Sequence, residues 1–288
     1  MKCFYHRGDM DGICSGAIVK LRHPECEMIG LEYGEPLPWD TLGLAETVFM
    51  VDLSLQPWEQ MDKLASVSRL IWIDHHDTAM QAHEASLADR IEGIQRIGLG
   101  ACALTWEYCF PEKKMPIAVR LMAEYDVWDH HNENCLPFQY GVKAMHMLPP
   151  HDTITTNQWR GVFSDDPGSP LRAILNRGRE VMKWQAEENA MRVAVLQHPI
   201  EFEGVRFLAA NHGPMNSKFF DTVWDADKYD AVMLYYWAPK QNAWKLNMYT
   251  DKKSCPHLGK IAEAYGGGGH HNAAGCHCAE LPFKVRDE

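Results

Sequence analysis

The sequence predicts an α/β protein: a parallel sheet covered by helices, joined by a long helix to a smaller α/β domain. Three observations predict it. Short runs rich in β-branched and aromatic residues alternate with amphipathic segments through the first half of the chain. A helical pattern runs over 171–197 with Gly178 as its only helix breaker. After Pro199 the strand-like runs return. The length, 288 residues, suits about two domains.

In chain order, strands are expected at 3–6, 28–33, 47–51 and 70–73. Between them, Ile13, Ala17, Ile18 and Leu21 recur at helical spacing. Pro57, followed by Trp58, Met61 and Leu64, reads as a helix with proline in its first turn. Helices are expected at 101–108 and 117–125, the second with Ile117, Leu121, Met122 and Tyr125 along one stripe. The following stretch, with Pro149-Pro150 and Asp165-Asp166-Pro167-Gly168, reads as loop. Beyond the long helix come strands at 200–209, 231–237 and 244–249, a helix at 258–265 and four consecutive glycines, Gly266 to Gly269. The domains are therefore drawn at 1–170, 171–197 as helical linker, and 198–288.

With 28 Lys and Arg against 39 Asp and Glu, the formal net charge is 28 minus 39, or -11. That balance argues against long duplex DNA or an anionic membrane as partner, since phosphate contacts need clustered cations. Nine cysteines without regular spacing, in a chain of this size, read as free thiols in a reducing compartment, and no apolar run reaches membrane-spanning length. A cytoplasmic protein is expected. Pairing into a homodimer through edge strands or the long helix is compatible with these features and required by none.

Chemistry concentrates at four places: His6-Arg7-Gly8-Asp9-Met10-Asp11-Gly12, Val51-Asp52, Asp74-His75-His76, and Asp126 with Asp129. In an open parallel sheet the carboxyl ends of the strands share one crevice, so the first three converge there. Singly, each has a plain structural explanation in turns, helix caps or ordinary buried histidines. Mixed carboxylate and imidazole donors suit Mn²⁺ or a similar ion better than Ca²⁺, and this many carboxylates suits two ions.

These motifs, in this order, resemble the DHH phosphoesterase superfamily, named for the triplet that stands here as Asp74-His75-His76. Gly266-Gly267-Gly268-Gly269-His270-His271-Asn272-Ala273-Ala274-Gly275 is similar to the signature of its associated C-terminal domain. The resemblance implies a DHH catalytic domain followed by a substrate-binding domain. It implies two Mn²⁺ (or Mg²⁺ or Co²⁺): one held by His6, Asp9 and Asp52, the other by Asp11, Asp52, His75 and Asp126, with Asp52 bridging. His76 would contact phosphate or donate a proton, and Asp74 would orient the histidines; Asp129 is the less favoured neighbour of Asp126. Gly267, Gly268, Gly269 and His270 would grip the substrate. Where the short-oligonucleotide enzymes carry an Arg-Ser pair, Tyr249 and Thr250 stand here, so Tyr249 would stack on a base or donate its hydroxyl. Asn216, with Asn211, Ser217 and Lys218, is a further polar contact or a helix cap. Cys276-His277-Cys278 is too compressed for structural zinc and reads as an alternating strand.

The activity implied is a metal-dependent phosphodiesterase or phosphohydrolase, oligoribonuclease-like or phosphatase-like, in which two metals activate water against short oligonucleotides or small nucleotides. Hydrolysis of pyrophosphate or polyphosphate is the alternative enzyme. A nucleotide-binding module without turnover is the alternative of another class.

Overall fold

A computed structural model describes residues 1–86, 91–129, 131–213, 215–269 and 271–284. The chain divides into two compact units, Met1–Met182 and Lys183–Glu288.

The first unit is built on five parallel strands: β1 (Lys2–His6), β2 (Glu27–Leu31), β3 (Thr47–Val51), β4 (Arg69–Asp74) and β5 (Glu92–Gln95), ordered β2-β1-β3-β4-β5. β1, β3 and β4 are apolar and buried almost throughout, as strands covered on both faces must be. Alternation divides their side chains between two cores. Tyr5, Phe49, Val51, Ile71 and Ile73 face one, while Phe4, Val48, Met50 and Trp72 face the other.

The helices of this unit are α1 (Met10–Arg22), α2 (Glu59–Val67), α3 (Asp77–Ala85), α4 (Ala101–Cys109), α5 (Ile117–Asp126), α6 (Cys135–Ala144) and α7 (Thr153–Val162). The strand order reverses between β1 and β3, and at such a switch point the chain diverges to either side and leaves a crevice at the strand ends. Helix α8 (Leu171–Leu196) then carries the chain from the first unit into the second.

The second unit holds a mixed sheet of β6 (Gln197–Phe202), β7 (Val205–Asn211), β8 (Ala231–Ala238), β9 (Ala243–Tyr249), β10 (Gly268–Gly269) and β11 (Ala273–Cys278), with α9 (Leu258–Glu263). Its order is β10-β11-β9-β8-β7-β6, and only β7 and β8 run parallel. Phe207, Met233, Leu246, Leu258 and Cys276 pack on one face. Leu208, Val232, Leu234, Phe219 and Phe220 pack on the other.

Several expectations are corrected. The strand expected at 28–33 ends at Leu31, leaving Tyr33 in a loop. Pro57 lies ahead of α2 rather than in its first turn. The supposed loop before α8 contains α6 and α7. The run at 200–209 is a hairpin, β6 and β7, turning at Glu203-Gly204, both at positive φ (50° and 71°). Ala273–Cys278 form strand β11, in which Cys276 and Cys278 are buried and His277 is exposed, as the alternating reading of that triplet expects. All nine cysteines are buried free thiols. No helix among the described residues is long and apolar enough to cross a membrane.

Candidate active site

The candidate residues of the first unit gather at the carboxyl ends of β1, β3 and β4. His6 ends β1. Three residues on, Asp9 caps α1, its Oδ1 accepting from Gly12 N at 2.9 Å. A Cβ on Gly12 would fall 2.1 Å from the His6 carbonyl oxygen, so a side chain there would push α1 off the strand end. Asp11 is buried in the first turn of α1. Both of its oxygens are used: Oδ2 accepts from Ala101 N (2.6 Å) and Oδ1 from Cys102 N (3.0 Å), fixing the carboxylate to the first turn of α4.

Asp52 follows β3 directly, in a left-handed conformation (φ 55°) that aspartate tolerates better than most residues. It is 1% exposed, and neither carboxylate oxygen has a hydrogen-bond donor. Its nearest cationic neighbours are His75 Nε2 at 3.3 Å and His6 Nδ1 at 3.6 Å. His6 Nδ1 also lies 3.0 Å from Asp9 Oδ2, and His75 Nε2 lies 3.2 Å from Asp126 Oδ2 and 3.9 Å from Asp11 Oδ2.

β4 ends in Asp74, which is fully buried and saturated with donors. Its Oδ1 accepts from His75 N (2.7 Å), His76 N (3.2 Å) and His76 Nδ1 (2.6 Å), and its Oδ2 from Trp72 Nε1 (3.2 Å). With Nδ1 directed at Asp74, His76 turns Nε2 away from that carboxylate.

Among the described residues, three sets of donor atoms lie within 4.8 Å of one another: His6 with Asp9 and Asp52, Asp11 with His75 and Asp126, and Asp52 with His75 and His76. Asp126 ends α5 beside His75, whereas Asp129 pairs with His131 at 2.6 Å and belongs to none of the sets.

The electrostatics follow from this crowding. The carboxylates of Asp52 and Asp9 push His6 up to about 10. Burial pulls His75 down, but Asp52, Asp11 and Asp126 outweigh it and bring it up to about 9. Burial and then the charge of Asp52 push Asp126 up to about 6. Burial, Asp52 and Asp126 hold Asp11 well above the usual carboxylate range.

Two neighbours escape the sequence reading. Glu32 Oε2 lies 3.4 Å from His6 Nε2. Tyr33 packs edge-on to His6 and His76, with ring centroids 5.0 and 5.8 Å apart. The rule that singled out the ends of β1, β3 and β4 applies equally to β2. Reading Tyr33 as the last residue of that strand hid it.

In the second unit, β10 pairs Gly268 and Gly269 with Gly275 and Ala274 of β11. A Cβ on Gly267 would fall 2.2 Å from the Gly275 carbonyl oxygen, and one on Gly269 2.5 Å from that of Ala273. These two glycines are thus required by close strand packing, while nothing lies within 4 Å of such a position on Gly268. Tyr249 ends β9, half-buried against the Leu208 face of the sheet. Asn216 caps the short 3-10 helix Ser217–Phe220, its side chain accepting from Lys218 N at 3.1 Å. His270 lies outside the described residues.

No protein-family model matches the chain. An uncharacterized protein, R106, of Acanthamoeba polyphaga mimivirus is 23% identical over 269 residues, which cover 84% of this chain and 56% of that protein. The chain thus spans little more than half the length of that relative. A solved pGpG-specific phosphodiesterase, PggH from Vibrio cholerae, aligns over 96% of this chain and 93% of its own, with a TM-score of 0.58 and 12% identity. The DHH domain of a member of the s1p family of ribosomal proteins aligns over 96% of this chain and 82% of its own, with a TM-score of 0.60 and 13% identity. At these identities the likeness is one of fold.

Proposed function

We propose that this chain, which has the fold of a DHH-domain protein, is a divalent-metal-dependent phosphodiesterase or phosphohydrolase acting on short oligonucleotides or small nucleotides. The observation that carries the reading is Asp52: a buried carboxylate without a hydrogen-bond donor on either oxygen. A buried charge left so is costly unless a cation compensates it; in the metal-free chain the protonated rings of His6 and His75 stand in that place, and both are themselves metal-type donors that a divalent ion would deprotonate and replace as the compensating charge. The surrounding donors are imidazole nitrogens and carboxylate oxygens, a set that fits Mn²⁺ and related ions. His6, Asp9 and Asp52 would hold one ion, and Asp11, Asp52, His75 and Asp126 the other. Asp11 keeps lone pairs free for this role, since each of its oxygens accepts one backbone bond.

When bound, divalent ions supply Lewis acidity toward phosphoryl oxygens and make water a competent nucleophile near neutral pH. The chain's own residues do the rest. Asp74 fixes the ring of His76 through Nδ1 and favours its doubly protonated form, whose Nε2–H is the proton donor to the leaving oxygen and which becomes the neutral Nδ1–H imidazole once that proton is given up. Gly267, Gly268, Gly269, His270, Tyr249 and Asn216 are proposed as substrate contacts of the second domain. The catalytic part would be 1–170, the connector 171–197 and the substrate-binding part 198–288.

The test is Mn²⁺-dependent hydrolysis of pGpG, a five-residue RNA, a cyclic dinucleotide, a nucleotide 3',5'-bisphosphate and pyrophosphate, with Asp52→Ala as control. Turnover of a nucleotide, lost at least 100-fold in the variant, supports the reading. Faster turnover of pyrophosphate than of every nucleotide, or wild type and Asp52→Ala behaving alike, overturns it.

A further inference from the structure

We propose that Tyr33 is a substrate-contacting residue of this site, its hydroxyl donating a hydrogen bond to a phosphoryl oxygen held beside His76. The inference rests on the phosphoesterase reading and adds a residue to it. The loop carrying Tyr33 is tied down on both sides of the ring. Glu35 N donates to the Glu32 carbonyl (3.1 Å), and Glu32 N donates back to Glu35 Oε2 (3.0 Å). Arg7 grips both oxygens of Glu35, at 2.7 and 2.6 Å, and also donates to the Gly30 carbonyl at 2.8 Å. The phenol is thereby fixed against His6 and His76 while 47% of the residue stays exposed. A ring held this way gives up little conformational freedom on contact with a ligand.

The hydroxyl is also poorly used by the protein. It lies 3.3 Å from His76 Nδ1 and 3.5 Å from Nε2, both longer than a short hydrogen bond to nitrogen. Nδ1 already has the closer Asp74 Oδ1 at 2.6 Å. A phosphoryl group offers only acceptors, and so do the carboxylates of Asp9, Asp52 and Asp126. A fixed O–H next to His76 supplies a donor that those carboxylates cannot.

The experiment compares wild type, Tyr33→Phe and Tyr33→Ala by the kinetics of Mn²⁺-dependent pGpG hydrolysis and by calorimetric binding of inorganic phosphate to the Mn²⁺-loaded protein. Mn²⁺ affinity is measured alongside. The hydroxyl role predicts that Tyr33→Phe loses about 10-fold or more in kcat/KM and in phosphate affinity, as expected for a hydrogen bond to a charged group, with Mn²⁺ affinity unchanged. A purely packing role predicts a wild-type Phe variant with only Ala impaired, and that result overturns the proposal. If wild type binds phosphate without hydrolysing any nucleotide, the phosphoesterase reading fails, while a 10-fold weaker phosphate affinity in Tyr33→Phe still supports the contact. Wild-type protein that binds no phosphate in the presence of Mn²⁺ overturns both.

Discussion

Asp52 and Asp74 are both buried aspartates at parallel strand ends, yet they are opposite in kind. Asp74 accepts from two backbone amides, an indole and an imidazole, so its charge is satisfied by the protein alone. Asp52 accepts from no donor and depends on charges around it. Removing the charge of Asp74 while keeping its shape therefore costs folding energy: Asp74→Asn turns one oxygen into an NH₂ group facing donors. We expect about 3 kcal/mol of destabilisation in the metal-free protein, within the range for breaking a buried charged pair. Urea unfolding followed by tryptophan fluorescence measures it, with Trp72 as a direct neighbour of the lesion. A loss below about 1 kcal/mol, the level of a surface substitution, would mean that the four donors are not holding the carboxylate as described. The spacing of acids and histidines made both residues visible in the sequence. Their difference was not visible, because hydrogen-bond satisfaction depends on Trp72 and on where the backbone amides point.

At the scale of the element, Gly178 shows how a residue that weakens a helix alone can be required by its packing. It sits inside α8, where glycine costs about 1 kcal/mol relative to alanine. A Cβ there would fall 1.7 Å from the Pro137 carbonyl oxygen and 2.9 Å from Gly141 N, both backbone atoms of α6. From the other side, a Cβ on Gly141 would fall 2.0 Å from the Ile174 carbonyl oxygen. The two helices meet backbone to backbone through the paired glycines. Gly178→Ala should thus destabilise by about 2 kcal/mol or more, because overpacking against backbone exceeds the propensity gain. Denaturant midpoints of wild type and variant decide it, and an equally or more stable variant refutes the close approach. The same contact explains why α6 was read as loop: its ten residues include Pro137 and Gly141, which break a helical pattern on paper and fit the contact in the fold. α7 was hidden for a different reason. Its first residues, Thr153, Ile154, Thr155 and Thr156, are poor helix formers, and the Asp152 capping box that starts them outweighs that preference. The long apolar periodicity of α8 and the buried runs of β1, β3 and β4 needed no such tertiary partner to be recognised.

For the whole molecule, the consequence of a charged centre in one unit is that metal should stabilise that unit in particular. A ligand that binds only the folded state adds about 2.7 kcal/mol at 100 times its dissociation constant. In hydrogen exchange this corresponds to slowing by about 100-fold for amides that exchange through opening of the unit that binds. With Mn²⁺ at that excess, the amides of β1, β3 and β4, whose ends carry His6, Asp52 and Asp74, should slow by this factor. Those of β8 and β9, in the second unit, should be unchanged. EDTA should reverse the effect, and Asp52→Ala should abolish it. Protection that appears first in β8 and β9 would place the ion in the second unit and remove the basis for reading the strand-end cluster as the metal centre. Protection of equal size in both units would mean that they open as one cooperative body, in which case the Asp52→Ala control alone locates the ion. On the proposed reading the net charge of -11 adds a requirement at the same scale: an anionic substrate approaching Asp9, Asp11, Asp52 and Asp126 would need that cation in place before it binds.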